Sequence, residues 1–275
     1  MLSNGNTNVH TAFANALTTN NQPGVEIGSM VYKNATLLQQ AYSYGRVSNK
    51  IVWMYSVKTA TLGNPLEKET VIEQYDAFGK PLLLHNRGGQ YSNLIWSANS
   101  RDMVAKFDMG FRGYTYFSSF EYDNGGALSN TALAGKKGYN LSVSQLSLLN
   151  PYLNLTNYVV YAWVYGANPF YVNGQAATNT NYAKGSWRLY KYEMIGTVLP
   201  SNIIISGSNI IDNLCIMPLG ASMTGYVYNE FDQISCMSNG YLHVTYEYDA
   251  DHNLKYIRDH EGNITEAYEY GIQKP

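Results

Sequence analysis

The residues that could support acid–base or nucleophilic catalysis are few and scattered along this 275-residue chain. A serine or cysteine nucleophile needs a histidine that a carboxylate positions, and no nucleophile-elbow motif (Gly-x-Ser-x-Gly) is present. The five histidines fall in a polar leader or on hairpins and turns: His10, His85, His243, His252 and His260. The sequence therefore predicts a protein that is not an enzyme.

Paired carboxylates are another route to catalysis, because glycoside hydrolysis uses two acids on facing walls of a cleft. Nothing in the spacing of the acids in or beside the apolar strands singles out a pair. The main ones are Glu121, Glu193, Asp212 and Glu247. A glycoside hydrolase accessory or an unrecognised hydrolase is therefore the weaker alternative among the function classes that stay open.

The two cysteines, Cys215 and Cys236, have no histidine or second cysteine at zinc-ligand spacing. Cys215 belongs to the apolar run Leu214–Met217, which favours a buried thiol that is not bonded. A single disulfide between the two cysteines is the alternative, and an oxidising compartment would allow it.

Aromatic side chains are a further place to look for function, because sugar rings stack on aromatic rings while polar neighbours orient the hydroxyls. Trp163 and Trp187 fall inside predicted strands, so we expect them to pack in a core. A connection between two strands is better placed to meet a ligand. We predict a ligand-binding site from five residues of one such connection: Phe170, Tyr171, Asn173, Gln175 and Tyr182.

The elements that must position these residues are predicted to be β-strands. The chain has 26 tyrosines, against 18 Lys+Arg and 20 Asp+Glu. Tyrosine and threonine favour pleated surfaces, while the abundant Asn and Gly favour the turns between them. A net charge of −2 without charge runs argues against a nucleic-acid partner. No apolar run is long enough to predict a membrane span.

Four segments follow from the pattern of strands and turns. Residues 1–28 are a polar leader, predicted to be loops or disorder, and residues 29–110 are β-hairpins with a short helical turn at 35–42. Residues 111–219 have the strand spacing of a jelly-roll β-sandwich. Within them, every residue from 158 to 165 is apolar or aromatic, which predicts a strand buried on both faces.

Residues 220–275 are periodic and are predicted to be C-terminal β-hairpins. The pattern Tyr-x-Tyr begins at Tyr226, Tyr246 and Tyr268, and intervals of about 20 residues indicate a repeat array. Such a hairpin cannot bury a core alone, so each must stack on its neighbours.

The central copy resembles the YD (tyrosine–aspartate) repeat of the RHS family. The residues that match the family pattern are Tyr246, Tyr248, Asp249, Leu254, Ile257, Asp259, Gly262 and Asn263. In the preceding copy, Asn229 stands where the pattern has aspartate. Gln74–Gly79 resembles a further copy that lacks the first tyrosine.

The middle segment resembles a carbohydrate-binding module of the galactose-binding-like jelly-roll class. Phe120-Glu121, Gly185-Ser186-Trp187 and the closing strand Ile211–Ile216 carry that resemblance. It implies a structural calcium ion near the first and last strands, with Glu121 and Asp212 as ligands and Asp123 as a further candidate. The alternative is that Glu121 is an edge-strand acid and Asp212 a turn or cross-strand partner.

The two resemblances imply a non-catalytic module of a secreted or cell-surface bacterial protein, as in Bacteroidetes-type bacteria. Its expected partners are a glycan on the jelly roll and neighbouring repeats or domains of a larger parent protein. The alternative is a purely structural RHS-type scaffold or shell segment that binds no small ligand. A shallow aromatic groove with polar neighbours would favour the first reading, and tyrosines used up in sheet packing would favour the second.

Overall fold

The computed structural model describes residues 28–33, 36–48, 51–61, 67–98, 101–109, 114–123, 126–151 and 155–270. Within these ranges the chain is all β, as predicted: its strands pair antiparallel and there is no helix. No long apolar helix of the kind that spans a bilayer occurs in this part of the chain. Residues 1–27 of the predicted leader lie outside the described residues. The chain divides into two compact units, residues 1–93 and 94–275.

The first unit is an antiparallel meander in which each strand pairs with the next. Its strands are β1 (Gly28–Lys33), β2 (Thr36–Ser48), β3 (Ile51–Thr61), β4 (Glu67–Tyr75), β5 (Pro81–Asn86) and β6 (Tyr91–Trp96). The helical turn predicted at 35–42 is wrong, because β2 begins at Thr36. Backbone pairing with β1 on one side and β3 on the other overrides the local preference of these residues.

The second unit holds the remaining strands. The first twelve are β7 (Met103–Met109), β8 (Tyr116–Ser118), β9 (Leu128–Ser129), β10 (Gly138–Asn140), β11 (Leu146–Leu149), β12 (Thr156–Tyr165), β13 (Tyr171–Val172), β14 (Gln175–Ala176), β15 (Thr178–Lys184), β16 (Trp187–Val198), β17 (Asn202–Ser206) and β18 (Ile210–Pro218). The last five are β19 (Ser222–Tyr228), β20 (Ile234–Ser238), β21 (His243–Tyr248), β22 (Leu254–Arg258) and β23 (Ile264–Ala267). We call β7 with β19–β23 the hairpin array, and β8–β18 the sandwich.

The sandwich is inserted between two adjacent strands of the hairpin array. β7 pairs antiparallel with β19, from Ala105 opposite Gly225 to Asp108 opposite Ser222. Neighbouring strands lie about 5 Å apart, so the chain leaves the array and returns to it at almost the same place. The array is therefore continuous in space, although the sandwich interrupts it in sequence.

Two sheets make up the sandwich, as predicted for this segment. The larger has the order β15-β16-β12-β18-β10-β9, with β8 also paired to β18, and the smaller has the order β11-β17-β13-β14. Val160 of β12 packs in one buried cluster with Ile203 and Ile205 of β17, so the sheets share a core. That core fixes β12 and β18, the two strands that carry most of the residues discussed below.

β12 is buried on both faces over most of its length, as its sequence predicts. Four of its side chains enter the sandwich core: Tyr158, Val160, Ala162 and Val164. Because side chains alternate along a strand, Trp163 points to the opposite face, where it is also fully buried. There the indole N–H donates to the carbonyl of Gly240 in the hairpin array, at 3.2 Å. The array therefore covers the outer face of the larger sheet at β12.

One turn geometry recurs in both units, and each of these turns begins with an aspartate or an asparagine. In each turn, the first residue's backbone N–H donates to the fifth residue's carbonyl, and its side-chain Oδ1 accepts the fifth residue's N–H. The fourth residue has a positive φ, as a three-residue hairpin loop with a left-handed position requires. The first residues of these turns are Asp76, Asn86, Asn229, Asp249 and Asp259. Asparagine thus replaces aspartate without losing either hydrogen bond.

Candidate functional site

Several of the residues predicted to bind a ligand have structural roles in the fold. Phe170 is fully buried in the sandwich core. Asn173 and Gly174 both have positive φ and form the tight turn between β13 and β14. The Oδ1 of Asn173 accepts the N–H of Ile204 at 2.7 Å. The side chains of Tyr171 and Gln175 are exposed on this hairpin, which leaves them as its accessible ligand candidates.

Tyr182 lies apart from that hairpin, on the edge strand β15 of the larger sheet. It is 44% exposed, and its ring packs edge-to-face against Tyr241 of the hairpin array with 5.3 Å between centroids. Tyr241 also meets Tyr161 of β12, with ring centroids 5.3 Å apart and hydroxyl oxygens 2.5 Å apart. We call Tyr161, Tyr182 and Tyr241 the tyrosine cluster; it leads from the surface into the contact between sandwich and array.

A shallow, open groove of about 530 Å³ lies along β16. Lys191 and Glu193 line it and form an ion pair at 2.8 Å. Tyr192 supplies an aromatic ring, but this ring packs against the sandwich core. The groove is therefore lined by charged and polar groups. The exposed aromatic ring next to it is that of Tyr182, in the tyrosine cluster.

Glu121 and Asp212, the implied calcium ligands, are brought together by one loop, residues 131–137. Glu121 Oε1 accepts the backbone N–H groups of residues 136 and 137, both at 2.6 Å. Asp212 Oδ2 accepts those of residues 133 and 134, at 2.8 and 3.2 Å, and its Oδ1 accepts the N–H of Asn213. Gly135 is required between them, because a Cβ there would lie 2.4 Å from Glu121 Oε1.

Burial decides the electrostatics of Asp212. Its carboxyl group is fully buried, which raises its pKa to about 8 although three amide hydrogen bonds favour the ionised form. Asp123, the third implied ligand, accepts the hydroxyl of Ser118 at 2.6 Å.

The calcium ion implied for these three acids stays a prediction. Calcium takes six to eight oxygen ligands, whereas the N–H groups around Glu121 and Asp212 would turn their positive ends toward a cation. Within the described ranges, no cluster of three or more acidic, histidine or cysteine side chains could hold a metal. The geometry is that of two carboxylates that fasten a loop.

A cluster of three buried residues and one half-buried residue joins the sandwich to the hairpin array. Its members, which we call the junction cluster, are Trp163 and Asn213 from the sandwich and His243 and His260 from the array. The Trp163 ring lies 5.2 Å from that of His243 and 5.8 Å from that of His260, and the two imidazoles are 5.7 Å apart and nearly parallel. Asn213 Nδ2 lies 3.0 Å from His243 Nε2. Burial lowers the pKa of His243 to about 3, so its ring is neutral at pH 7.

The other described histidines make ordinary surface contacts. His85 lies 3.5 Å from Glu73 in the first unit, and His252 packs against Phe231 at a hairpin tip, 3.9 Å between centroids. Cys215 and Cys236 are buried and unbonded, as predicted. Burial raises the pKa of both thiols, which suppresses the reactive thiolate.

No family model and no curated protein matches the chain. What the fold itself defines is an all-β protein with a sandwich inserted in an array of antiparallel hairpins. The likeness to YD repeats and to carbohydrate-binding modules rests on the matched residues alone.

Sequence reasoning missed the junction cluster. Its members come from β12, β18, β21 and the β22–β23 turn, and no local pattern connects them. The sequence also carries a ten-residue period in the residues that cap turns. An Asp or Asn of this kind stands at each of four positions: Asn229, Asn239, Asp249 and Asp259. That period is one strand plus one turn, half the repeat length that the tyrosines suggest.

Proposed function

We propose that this chain is a non-catalytic structural module of a larger secreted or cell-surface protein, in which a sandwich is built into an array of YD-type hairpins. The observation that carries this proposal is the burial of Trp163 and the outer face of β12 under the hairpin array. A sheet face that serves a ligand stays accessible, whereas this one is used to fix two parts of one scaffold.

The tyrosines of the hairpin array support the same role. Tyr228 donates its hydroxyl to the carbonyl of Met103 at 2.9 Å, and Tyr248 donates to that of Ile234 at 2.8 Å. Tyr246 reaches the sulfur of Met237 at 3.0 Å. Buried or half-buried rings whose hydroxyls bond to neighbouring strands hold a sheet together, and they offer little to a ligand.

Hydrogen exchange tests whether the sandwich and array form one scaffold. Trp163→Ala removes a large, fully buried side chain at their contact, so amides of β12 and also of β21 should exchange at least tenfold faster. Trp187→Ala is the matched control, because Trp187 is buried in β16 and stacks on Tyr165 within the sandwich. Unchanged exchange of β21 in Trp163→Ala would contradict the single scaffold.

A second candidate function is glycan binding, and the tyrosine cluster favours it. Tyr182 is exposed, is held by Tyr241, and lies on the strand next to the groove of Lys191 and Glu193. An exposed ring beside polar groups is the arrangement on which a pyranose stacks.

A glycan array separates the two candidates. Saturable binding to one glycan class that Tyr182→Ala abolishes, and Tyr171→Ala retains, would replace the structural proposal with a glycan-binding module at the tyrosine cluster. Loss in Tyr171→Ala alone would place the ligand on the β13–β14 hairpin. Absence of binding across a broad array is the result expected for the scaffold.

A further inference from the structure

The junction cluster contains polar atoms that its packing leaves without partners. Among the described residues, His243 Nδ1, His260 Nδ1 and Asn213 Oδ1 are buried and meet no hydrogen-bond partner. His243 and Asn213 are almost wholly inaccessible to solvent. Buried polar groups are ordinarily paired, so each exception calls for an explanation.

Hydrogen bonding fixes which ring nitrogen of His243 is uncharged and basic. With Asn213 Nδ2 donating at 3.0 Å, His243 Nε2 must accept and its proton must reside on Nδ1. A second proton can then be added only at Nε2, where it opposes the amide donor. The imidazolium would also place a charged N–H at Nδ1, which has no acceptor in reach.

The charges around the two imidazoles add to the free-energy cost of protonating His243. Lys184 of β15 is near both rings, and the imidazole of His260 disfavours a charge on His243. Asp259 and Glu261 flank His260 and favour its protonation, but both accept hydrogen bonds from their own turn. Their effect does not prevent burial and Lys184 from lowering the pKa of His260.

The acidic and thiol groups on the remaining elements do not supply a negative charge that would stabilise protonated His243. Asp212 of β18 is bonded to three backbone amides, and burial raises its pKa, so it is protonated before the histidine is. Cys236 of β20 is a neutral buried thiol, since burial raises its pKa to about 12.

We propose that the junction cluster is a pH-sensitive latch: it holds the sandwich against the hairpin array while His243 and His260 are neutral, and releases that contact when acidification protonates them. The latch does not depend on whether the sandwich binds a glycan or serves as a scaffold. It predicts a protein that is rigid near neutral pH and loosens at this one contact in acid.

The direction and the size of the pH effect on junction opening follow from the linkage between protonation and folding. A histidine whose pKa is lowered on folding does not affect the opening equilibrium at a pH above its unfolded pKa of about 6.5. Below that pH, each further pH unit multiplies the opening equilibrium constant about tenfold, until the folded pKa is reached. Between pH 6.5 and 4.5 we therefore expect on the order of a 100-fold rise in junction opening. Asp212 acts in the opposite direction, because a raised pKa strengthens the folded state as pH falls.

Hydrogen exchange of β12 and β21, corrected for the intrinsic pH dependence of exchange, measures this opening at pH 7.5, 5.5 and 4.5. His243→Phe keeps a ring beside Trp163 and removes the proton site, so its opening should rise at least tenfold less than that of the wild type. His252→Phe is the matched control, because His252 lies at a hairpin tip and its loss should leave the wild-type response intact.

If His243→Phe does not fold, Lys184→Met provides an independent variant. Removing the nearby ammonium group makes protonation of His243 easier in the closed state, so the acid-induced rise in junction opening should be smaller than in the wild type. Wild-type protection that is equal at pH 7.5 and 4.5 would overturn the latch. An acid response of the same size in His243→Phe would overturn it as well.

Discussion

Gly225 of the hairpin array packs closely against Phe117 of the sandwich, and adding a single methyl group there tests this packing directly. A Cβ at this position of β19 would lie 2.6 Å from Cζ of Phe117 and 3.0 Å from its Cε2. Ordinary contacts of this kind are 3.4–4 Å, so the ring of Phe117 must move. Phe117 is only 5% exposed and sits on β8, which pairs with β18.

The expected cost of Gly225→Ala is the difference between two effects. Overpacking a well-filled core costs about 1–3 kcal/mol. Replacing glycine by alanine at an ordinary backbone conformation returns about 0.4–1 kcal/mol by restricting the unfolded chain. We therefore expect a net loss of about 1–2 kcal/mol in the free energy of unfolding.

Urea unfolding followed by circular dichroism measures this loss, and a double-mutant cycle assigns it. Phe117→Leu removes the ring atoms that the new methyl group would meet, so the double variant should be more stable than the sum of the single effects predicts. Gly88→Ala is the control, because its Cβ would make only one ordinary contact, at 3.4 Å. A Gly225→Ala protein as stable as the wild type would refute the close packing of array and sandwich.

Three further predictions concern the turns, the acids and the thiols. Asn229→Ala removes the acceptor of two amide hydrogen bonds, at 2.9 and 3.1 Å, and should cost about 1 kcal/mol in urea unfolding, whereas Asn229→Asp should be nearly neutral. EDTA should leave the melting temperature unchanged, because Glu121 and Asp212 already accept hydrogen bonds from backbone amides. A decrease in the melting temperature that added calcium reverses would instead support a calcium site at these acids. Cys215 and Cys236 should react with a thiol reagent only after denaturation, since both are buried; rapid labelling of the native protein would contradict that burial.

The sequence reveals much of the fold because strands and turns leave local signals. The unbroken apolar run of β12 predicts burial on both faces, and the polar segments Asp249–Asn253 and Glu261–Asn263 predict turns. The insertion of the sandwich between β7 and β19 could not be predicted, since that pairing joins residues that are distant in sequence. Long-range pairing leaves no local periodicity to detect.

The site residues were harder to predict for a related physical reason. Phe170 and Tyr171 are adjacent aromatic residues, yet one is fully buried and the other exposed, because alternate strand positions face opposite sides. Likewise Asp212 has the residue type of a metal ligand, but its oxygens are directed at amides of a loop that no sequence spacing places beside it. Residue type alone therefore does not tell a ligand from a structural acceptor.

The pairing of β7 with β19 also determines how the protein would carry tension. A pull on the chain before β7 and after β19 loads the ladder from its open end, so hydrogen bonds break one after another from Ala105–Gly225 toward Asp108–Ser222. The sandwich lies beyond the last of these pairs, so its backbone is not pulled through β7 and β19 until the ladder has opened. Stretching would thus open the β7–β19 ladder before it extends the backbone of the inserted domain.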